Sequence, residues 1–285
     1  MSPQPLSFSR EIASVLLKVF AVLVTLASIV VGLFLVGNSY SGVSDGSCTI
    51  AVMPITGEIM PYGRGIEYPN FTSTPTDVRD FLSSVENDQT VAVEGVLFEI
   101  NSPGGTPVAA EDIAGQINAF SLPTAVLIGD VGASGGYMIA SAADHIVASA
   151  MSEIGSIGVT MSYLENSEKN KQEGVTYVPL SSGKFKDAGS PDKALSPDER
   201  KYFESQLDII YKEFIKIVAQ NRNIPEDDVR KIADGSTLIG QQAVDKKLVD
   251  QIGDRTAIRQ YFAEKLGKDI SEISFCEYKP PLGIM

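Results

Sequence analysis

Apolar residues run without a charge from Val19 to Gly37 (VFAVLVTLASIVVGLFLVG), nineteen positions in all. A helix of about 20 such residues crosses the hydrocarbon core of a bilayer. Arg10 and Lys18 lie on the N-terminal side of the run, and the first charge beyond it is Asp45. The positive-inside bias then puts the N-terminus in the cytoplasm and everything after about residue 40 outside, at the cell membrane. A cleaved signal peptide, with Ser39 and Ser41 at the cleavage site, is the rival reading, but the run exceeds the usual ~7–15 apolar residues of such a segment. The pattern divides the chain into a cytoplasmic tail (1–18), a transmembrane helix (19–37), a Gly/Ser/Asn-rich linker (38–47), one large domain (48–267) and a C-terminal tail (268–285).

Beyond the linker, residues 48–60 (CTIAVMPITGEIM) alternate apolar and polar and are rich in β-branched types, which predicts a strand. A polar loop reaches residue 74, and 75–87 reads as a helix. Two strand-to-helix units follow. Val91–Ile100 is a buried-type strand ending in Asn101-Ser102-Pro103-Gly104-Gly105, and a helix from Pro107 to Phe120 carries Ala109, Ile113 and Ile117 on one face. Thr124–Ile128 is the second strand; it ends in the turn Gly132-Ala133-Ser134-Gly135-Gly136, with a helix from Gly135 to Ala143. His145–Ser149 and Val175–Leu180 read as further short strands. Ser196-Pro197-Asp198-Glu199 forms a capping box, and Phe203, Leu207, Ile210, Phe214 and Ile217 mark one apolar stripe running to Asn221. Two or three shorter helices fill 225–266. Strands alternating with helices predict an α/β fold with a largely parallel sheet and a helical C-terminal part.

Composition narrows the function. With a net charge of −13 and no basic cluster, the chain has no surface suited to nucleic acid. There is no Walker A motif, and one histidine with cysteines only at 48 and 276 excludes a transition-metal site and gives no sign of a cofactor. An extracytoplasmic compartment permits a Cys48–Cys276 disulfide; two unrelated thiols fit the sequence equally well.

The candidate chemistry centres on Ser134. Its surroundings match the G-x-S-x-G elbow of α/β-hydrolases, whose partners follow in the order Ser, Asp or Glu, His. The only histidine, His145, stands eleven residues on with Asp144 directly before it, which leaves no room for such a triad. Ser134 is either a helix cap or a nucleophile whose base is not histidine. Ligands of open α/β sheets bind beyond the carboxyl ends of strands, where both glycine-rich turns lie. There the N–H groups of Gly104, Gly105 and Gly135 are available to an oxyanion.

Taken in order, Asn101-Ser-Pro-Gly-Gly105, Ala133-Ser-Gly-Gly-Tyr137, Gly155-Ser-Ile-Gly-Val159 and Ser182-Gly-Lys-Phe-Lys186-Asp187 resemble the motif series of the signal peptide peptidase A (SppA) family. The resemblance spans roughly residues 48–265. It implies the Clp-protease/crotonase fold of repeated ββα units and an ATP-independent Ser/Lys serine peptidase in a single-domain form. Ser134 then corresponds to the nucleophile, Lys186 to the general base and Ser156 to the hydroxyl that orients the lysine. Gly104 or Gly105, together with Gly135, would supply the oxyanion donors. Lys184 is the competing base: it shares its alternation with Lys186, and only the family's S-G-x-x-K-D pattern selects Lys186. Asp187 beside it is a concern, because a carboxylate close to an amine favours the charged form. The resemblance also implies a homo-oligomeric ring and hydrophobic peptide substrates such as cleaved signal peptides. A crotonase-like acyl-CoA enzyme and a catalytically silent membrane scaffold are the alternatives. Two positions depart from the family pattern: Gly132 stands where alanine is common, and Glu99 where arginine or another polar residue is common. His145 has no catalytic role in this reading.

Overall fold

The computed structural model describes residues 7–38, 48–62, 72–87 and 93–277, with the side chains of the first helix described from 14 to 30. That helix, α1 (Ser7–Asn38), is a single element of 32 residues. At 1.5 Å per residue it is about 48 Å long. Leu16, Leu17, Phe20 and Leu23 on it are all more than half exposed. Among the described residues no helix is long and apolar enough to cross a membrane. The span expected at 19–37 runs beyond the side chains described, and most of the 38–47 linker lies outside the described residues.

The domain that follows the linker is built on a sheet of nine strands among the described residues, with the main order β2-β1-β3-β4-β5-β8. Here β1 is Ile50–Ile59, β2 Thr72–Ser73, β3 Gly95–Gly105, β4 Thr124–Ala133, β5 His145–Ala148 and β8 Gln251–Ile252. All these pairs are parallel. A short strand β6 (Glu153–Gly155) pairs with the end of β4 and, antiparallel, with β7 (Thr237–Ile239).

A parallel sheet must be covered on both faces, and the period-two alternation of its strands sorts the covering. Ala51, Met53, Ile55, Phe98, Ile100, Val126 and Ile128 point into the larger core, with α2 (Pro75–Asn87), α3 (Pro107–Ala119), α4 (Gly135–Ser141) and the second half of α6 (Pro197–Arg222). Ile50, Val52, Leu97, Ala125 and Val147 point to the other face, against Ile258 and Phe262 of α9 (Arg255–Leu266). Each of the larger of these side chains (Val, Leu, Ile, Phe, Met), fully buried, stabilises the fold by about 1.5–3 kcal/mol. The α6 capping box forms as its sequence predicts: the Ser196 hydroxyl accepts from the Glu199 N–H and the Glu199 carboxylate from the Ser196 N–H. Of the α6 stripe only Phe214 is fully buried; Phe203, Leu207, Ile210 and Ile217 remain half-buried.

Two expectations are corrected and one open question closes. Val175–Leu180 is not a strand; the segment has no regular structure, and Val178 and Leu180 are 71% and 96% exposed. Pro179 lacks the N–H that a ladder needs, and no strand of the sheet reaches it. Residues 268–277 are not a loose tail: a 3₁₀ turn over Ile270–Glu272 leads into β9 (Phe275–Glu277), which pairs with β1. The remainder of that tail, 278–285, lies outside the described residues. Finally, the open question of the cysteines closes in favour of a bond. Cys48, just before β1, and Cys276, within β9, form a disulfide with Cα atoms 5.6 Å apart.

Glu99 is explained by Arg255, whose guanidinium makes a two-pronged contact with it at 2.5 and 2.8 Å and also binds Glu277 at 2.8 Å. At Gly132 an added methyl would stand 2.9 Å from Ile128 Cγ2, so the larger isoleucine takes the space an alanine would need.

Candidate active site

Strands β3 and β4 run in parallel and extend past the expected ends at Ile100 and Ile128 to Gly105 and Ala133, so their glycine-rich ends lie side by side. Asn101 ties them, its side-chain oxygen accepting from the Val131 N–H at 3.1 Å. Ser134 sits at the junction of β4 and α4 with φ 51° and ψ −123°. A non-glycine residue held there is strained by roughly 1–3 kcal/mol. Two contacts hold it: its N–H donates to the Gly155 carbonyl at 2.7 Å, and its carbonyl accepts from Met138 at 3.0 Å. Behind it the buried Tyr137 hydroxyl donates to the Leu248 carbonyl at 2.9 Å, and burial raises the ionisation of that phenol well above its ordinary range. The Ser134 side chain makes no capping hydrogen bond. The helix-cap alternative therefore falls, and the hydroxyl is uncommitted.

The donors around it resolve into a pair. Gly104 has φ +105°, and a methyl group placed on it would stand 2.8 Å from the Gly135 nitrogen. Its own N–H, however, donates to the Ser102 hydroxyl at 3.1 Å, and Ser102 Oγ donates to the Gly57 carbonyl at 2.6 Å. In this structure Gly104 provides room beside Ser134 while its N–H is engaged by Ser102. Gly105 differs. The β1 ladder uses the Thr106 N–H, bonded to the Ile59 carbonyl at 2.8 Å, so the alternation of a parallel ladder turns the Gly105 N–H away from β1. A methyl on Gly135 would stand 3.3 Å from that nitrogen. Gly105 and Gly135 therefore present neighbouring N–H groups beside Ser134.

Ser134, Gly105 and Gly135 line a cleft of about 740 Å³, walled by Met138, Ser156, Val159 and, from α6, Leu207, Ile210, Tyr211 and Phe214. Its polar rim includes Asp208 and Asp234. Ser156 is in place on the same wall but has a partner. It too has a positive φ, 48°, and its hydroxyl donates to the Gly235 carbonyl at 2.9 Å.

The two lysines lie elsewhere. None of the residues lining the cleft is Lys, Arg or His. Lys186 sits in an exposed turn and makes no ion pair among the described residues. Lys184 is paired with Asp198 at 2.6 Å and stacks over the Phe185 ring. Asp187 is directed to the Tyr177 hydroxyl at 2.6 Å and to Lys193 at 3.2 Å, and these contacts hold its carboxyl below the usual carboxylate range. His145 lies at the far end of the sheet, stacked on Tyr261 with 4.4 Å between ring centres, and takes no part in the cleft.

Sequence reasoning missed Ser102, the side chain that takes the Gly104 N–H; its place inside Asn101–Gly105 was the one available signal. It also missed the apolar α6 wall, which was readable only as a stripe.

A parallel α/β sheet with an uncommitted serine at a strained strand-to-helix turn and a pair of backbone donors defines a serine hydrolase type of site. A sequence profile of peptidase family S49 matches residues 117–269. The chain is 32% identical to the protease candidate MJ0651 of Methanocaldococcus jannaschii, over 86% of this chain and 79% of that one. It is 33% identical to Protease 4 of Salmonella typhi, over 74% of this chain but only 34% of that longer protein. The chain belongs to peptidase family S49, together with the SppA-type and Protease 4-type peptidases. Among solved structures it resembles a membrane-bound stomatin-specific protease, 1510-N, with a TM-score of 0.52 at 15% identity, covering 82% of this chain and 99% of that one.

Proposed function

We propose that this protein is a membrane-anchored serine endopeptidase working at the outer face of the cytoplasmic membrane on hydrophobic peptides, cleaved signal peptides among them. The observation that carries the reading is the free Ser134 hydroxyl beside the Gly105 and Gly135 N–H groups. The apolar α6 wall suits extended hydrophobic chains, and the disulfide suits an oxidising compartment. The exposed apolar side chains of α1 suit a lipid surface.

In this mechanism Ser134 Oγ attacks the scissile carbonyl while the neutral Lys186 amine takes its proton. The oxyanion is held by Gly105 and Gly135. The tetrahedral intermediate collapses, the protonated lysine gives its proton to the departing amine, and the same amine then activates water to release the acyl group. Lys186 is absent from the cleft of its own chain. In this reading a neighbouring copy in a ring brings the base to the cleft. Leu164, Val178 and Leu180, all exposed on the segment leading to Lys186, suit such a contact. Ser156 Oγ would orient the incoming amine.

The test is mass-spectrometric labelling of Ser134 by a serine-reactive phosphonate in wild type, Lys186→Ala and Lys184→Ala. Labelling lost only with Lys186 is the expected result. Labelling lost only with Lys184 moves the base to that residue. No labelling, with no peptide cleavage by the assembled protein, points to a silent scaffold, and thioester turnover without cleavage to an acyl-CoA enzyme.

A further inference from the structure

The carboxylate next to the base is under unusual restraint. Lys193 Nζ lies 3.2 Å from Asp187 Oδ2 and 2.6 Å from Glu199 Oε1. The Tyr177 hydroxyl donates to the other Asp187 oxygen at 2.6 Å. Glu199, buried at the start of α6, accepts with its second oxygen from the Ser196 N–H at 2.9 Å and from the Ser196 hydroxyl at 2.8 Å. Of the other charges on this segment, Lys184 pairs with Asp198 and Asp192 accepts from the Asn170 amide at 3.0 Å. Asp198 thus pairs with Lys184 while Asp187 and Glu199 share Lys193, and Lys186 is not the cation of any of them.

We propose that Lys193 is a positioning residue for the base: with Tyr177 it holds the Asp187 carboxylate aside, so that the carboxylate adjacent in sequence is not the counter-charge of the Lys186 amine and only Asp208 and Asp234 on the cleft rim face that amine from α6 and the turn before β7. The proposal rests on the reading of Lys186 as the base. A carboxylate within about 4–6 Å of an amine stabilises the ammonium and shifts its titration by roughly one to three units. A lysine base needs the opposite, because it works only as the free amine. Lys193 does a second thing with the same contacts. It ties the base-bearing turn to the first turn of α6, the helix whose later residues Leu207, Ile210 and Phe214 wall the Ser134 cleft.

The experiment is the pH profile of kcat/KM for peptide cleavage by the full-length assembled protein, with Ser134 labelling as a second readout. Lys193→Met is expected to move the acid limb upward by about one pH unit or more, with activity recovered at high pH. Adding Asp187→Asn should return the limb towards wild type, and Lys193→Arg should leave it in place. Tyr177→Phe loosens the same carboxylate without touching Glu199, so it should shift the limb in the same direction and serves if Lys193→Met does not fold. An unmoved limb in both Lys193→Met and Tyr177→Phe overturns the proposal. So does a loss at every pH that Asp187→Asn fails to rescue, because that is the mark of a purely structural residue. Lys186→Ala labelled at the wild-type rate overturns the base assignment itself, and is told apart because it does not involve Lys193.

Discussion

Gly104 lies against the nucleophile so closely that a single added methyl group would stand 2.7 Å from Ser134 Cβ and 3.0 Å from its Oγ. The position also has φ +105°, a backbone region that side chains avoid. Gly104→Ala is therefore expected to displace Ser134 and the Gly135 donor together. The expected loss in kcat is about 100-fold or more, the scale of removing one oxyanion donor. Strain at this φ adds roughly 1–3 kcal/mol of destabilisation. Steady-state cleavage and a thermal melt measure the two effects, and unchanged kcat would show that the turn is not part of the site.

Complementation tests the division of the dyad between copies. Ser134→Ala and Lys186→Ala are each expected to be inactive. Mixed and reassembled, they should regain a fraction of wild-type cleavage, because some sites would pair an intact serine with an intact lysine. Mixtures that stay inactive, with assembly confirmed by size, would place both groups in one chain.

The disulfide carries a stability prediction. Its loop spans 228 residues, and loss of such a bond costs about 2–5 kcal/mol. Replacing both Cys48 and Cys276 by serine should lower the melting temperature while leaving Ser134 labelling in the folded protein unchanged, since the bond lies at the opposite end of β1 from the site.

Acid should act through Glu199. The Lys193 ammonium, then the Ser196 N–H and hydroxyl, push its carboxyl down to about 2. A depressed carboxyl stabilises the fold above its unfolded value, about 4.3, and that contribution is lost as pH falls from there towards 2. Glu199→Gln should be less stable at pH 6 and should show a smaller drop in urea midpoint between pH 5 and pH 3 than wild type.

The sequence reading succeeded where local chemistry decides structure. The β1, α2 and α3 patterns, the capping box at Ser196 and the meeting of two glycine turns at Ser134 were all legible, because alternation, caps and turn residues act over a few positions. It failed where distant partners decide. β6 to β9 are two or three residues long and exist through pairing, so no periodicity announces them. Val175–Leu180 has the composition of a strand but no neighbour to bond. Gly104 and Gly105 are indistinguishable as letters; only the Ser102 hydroxyl and the β1 ladder assign one to space and the other to donation. Lys186 was found by motif, and its absence from the cleft could be seen only in three dimensions.

The strand ends also fix a reach. Ile50 opens β1 opposite Gly95 and Phe275, and the disulfide staples the entry and exit of the domain at that edge. Ile59, at the other end of β1, faces Gly105 beside the nucleophile. Nine residue steps of extended chain measure about 30 Å. Among the described residues, the stretches around Cys48 and Cys276 are therefore held at one edge, and the Ser134 edge stands off from them by the full length of the sheet.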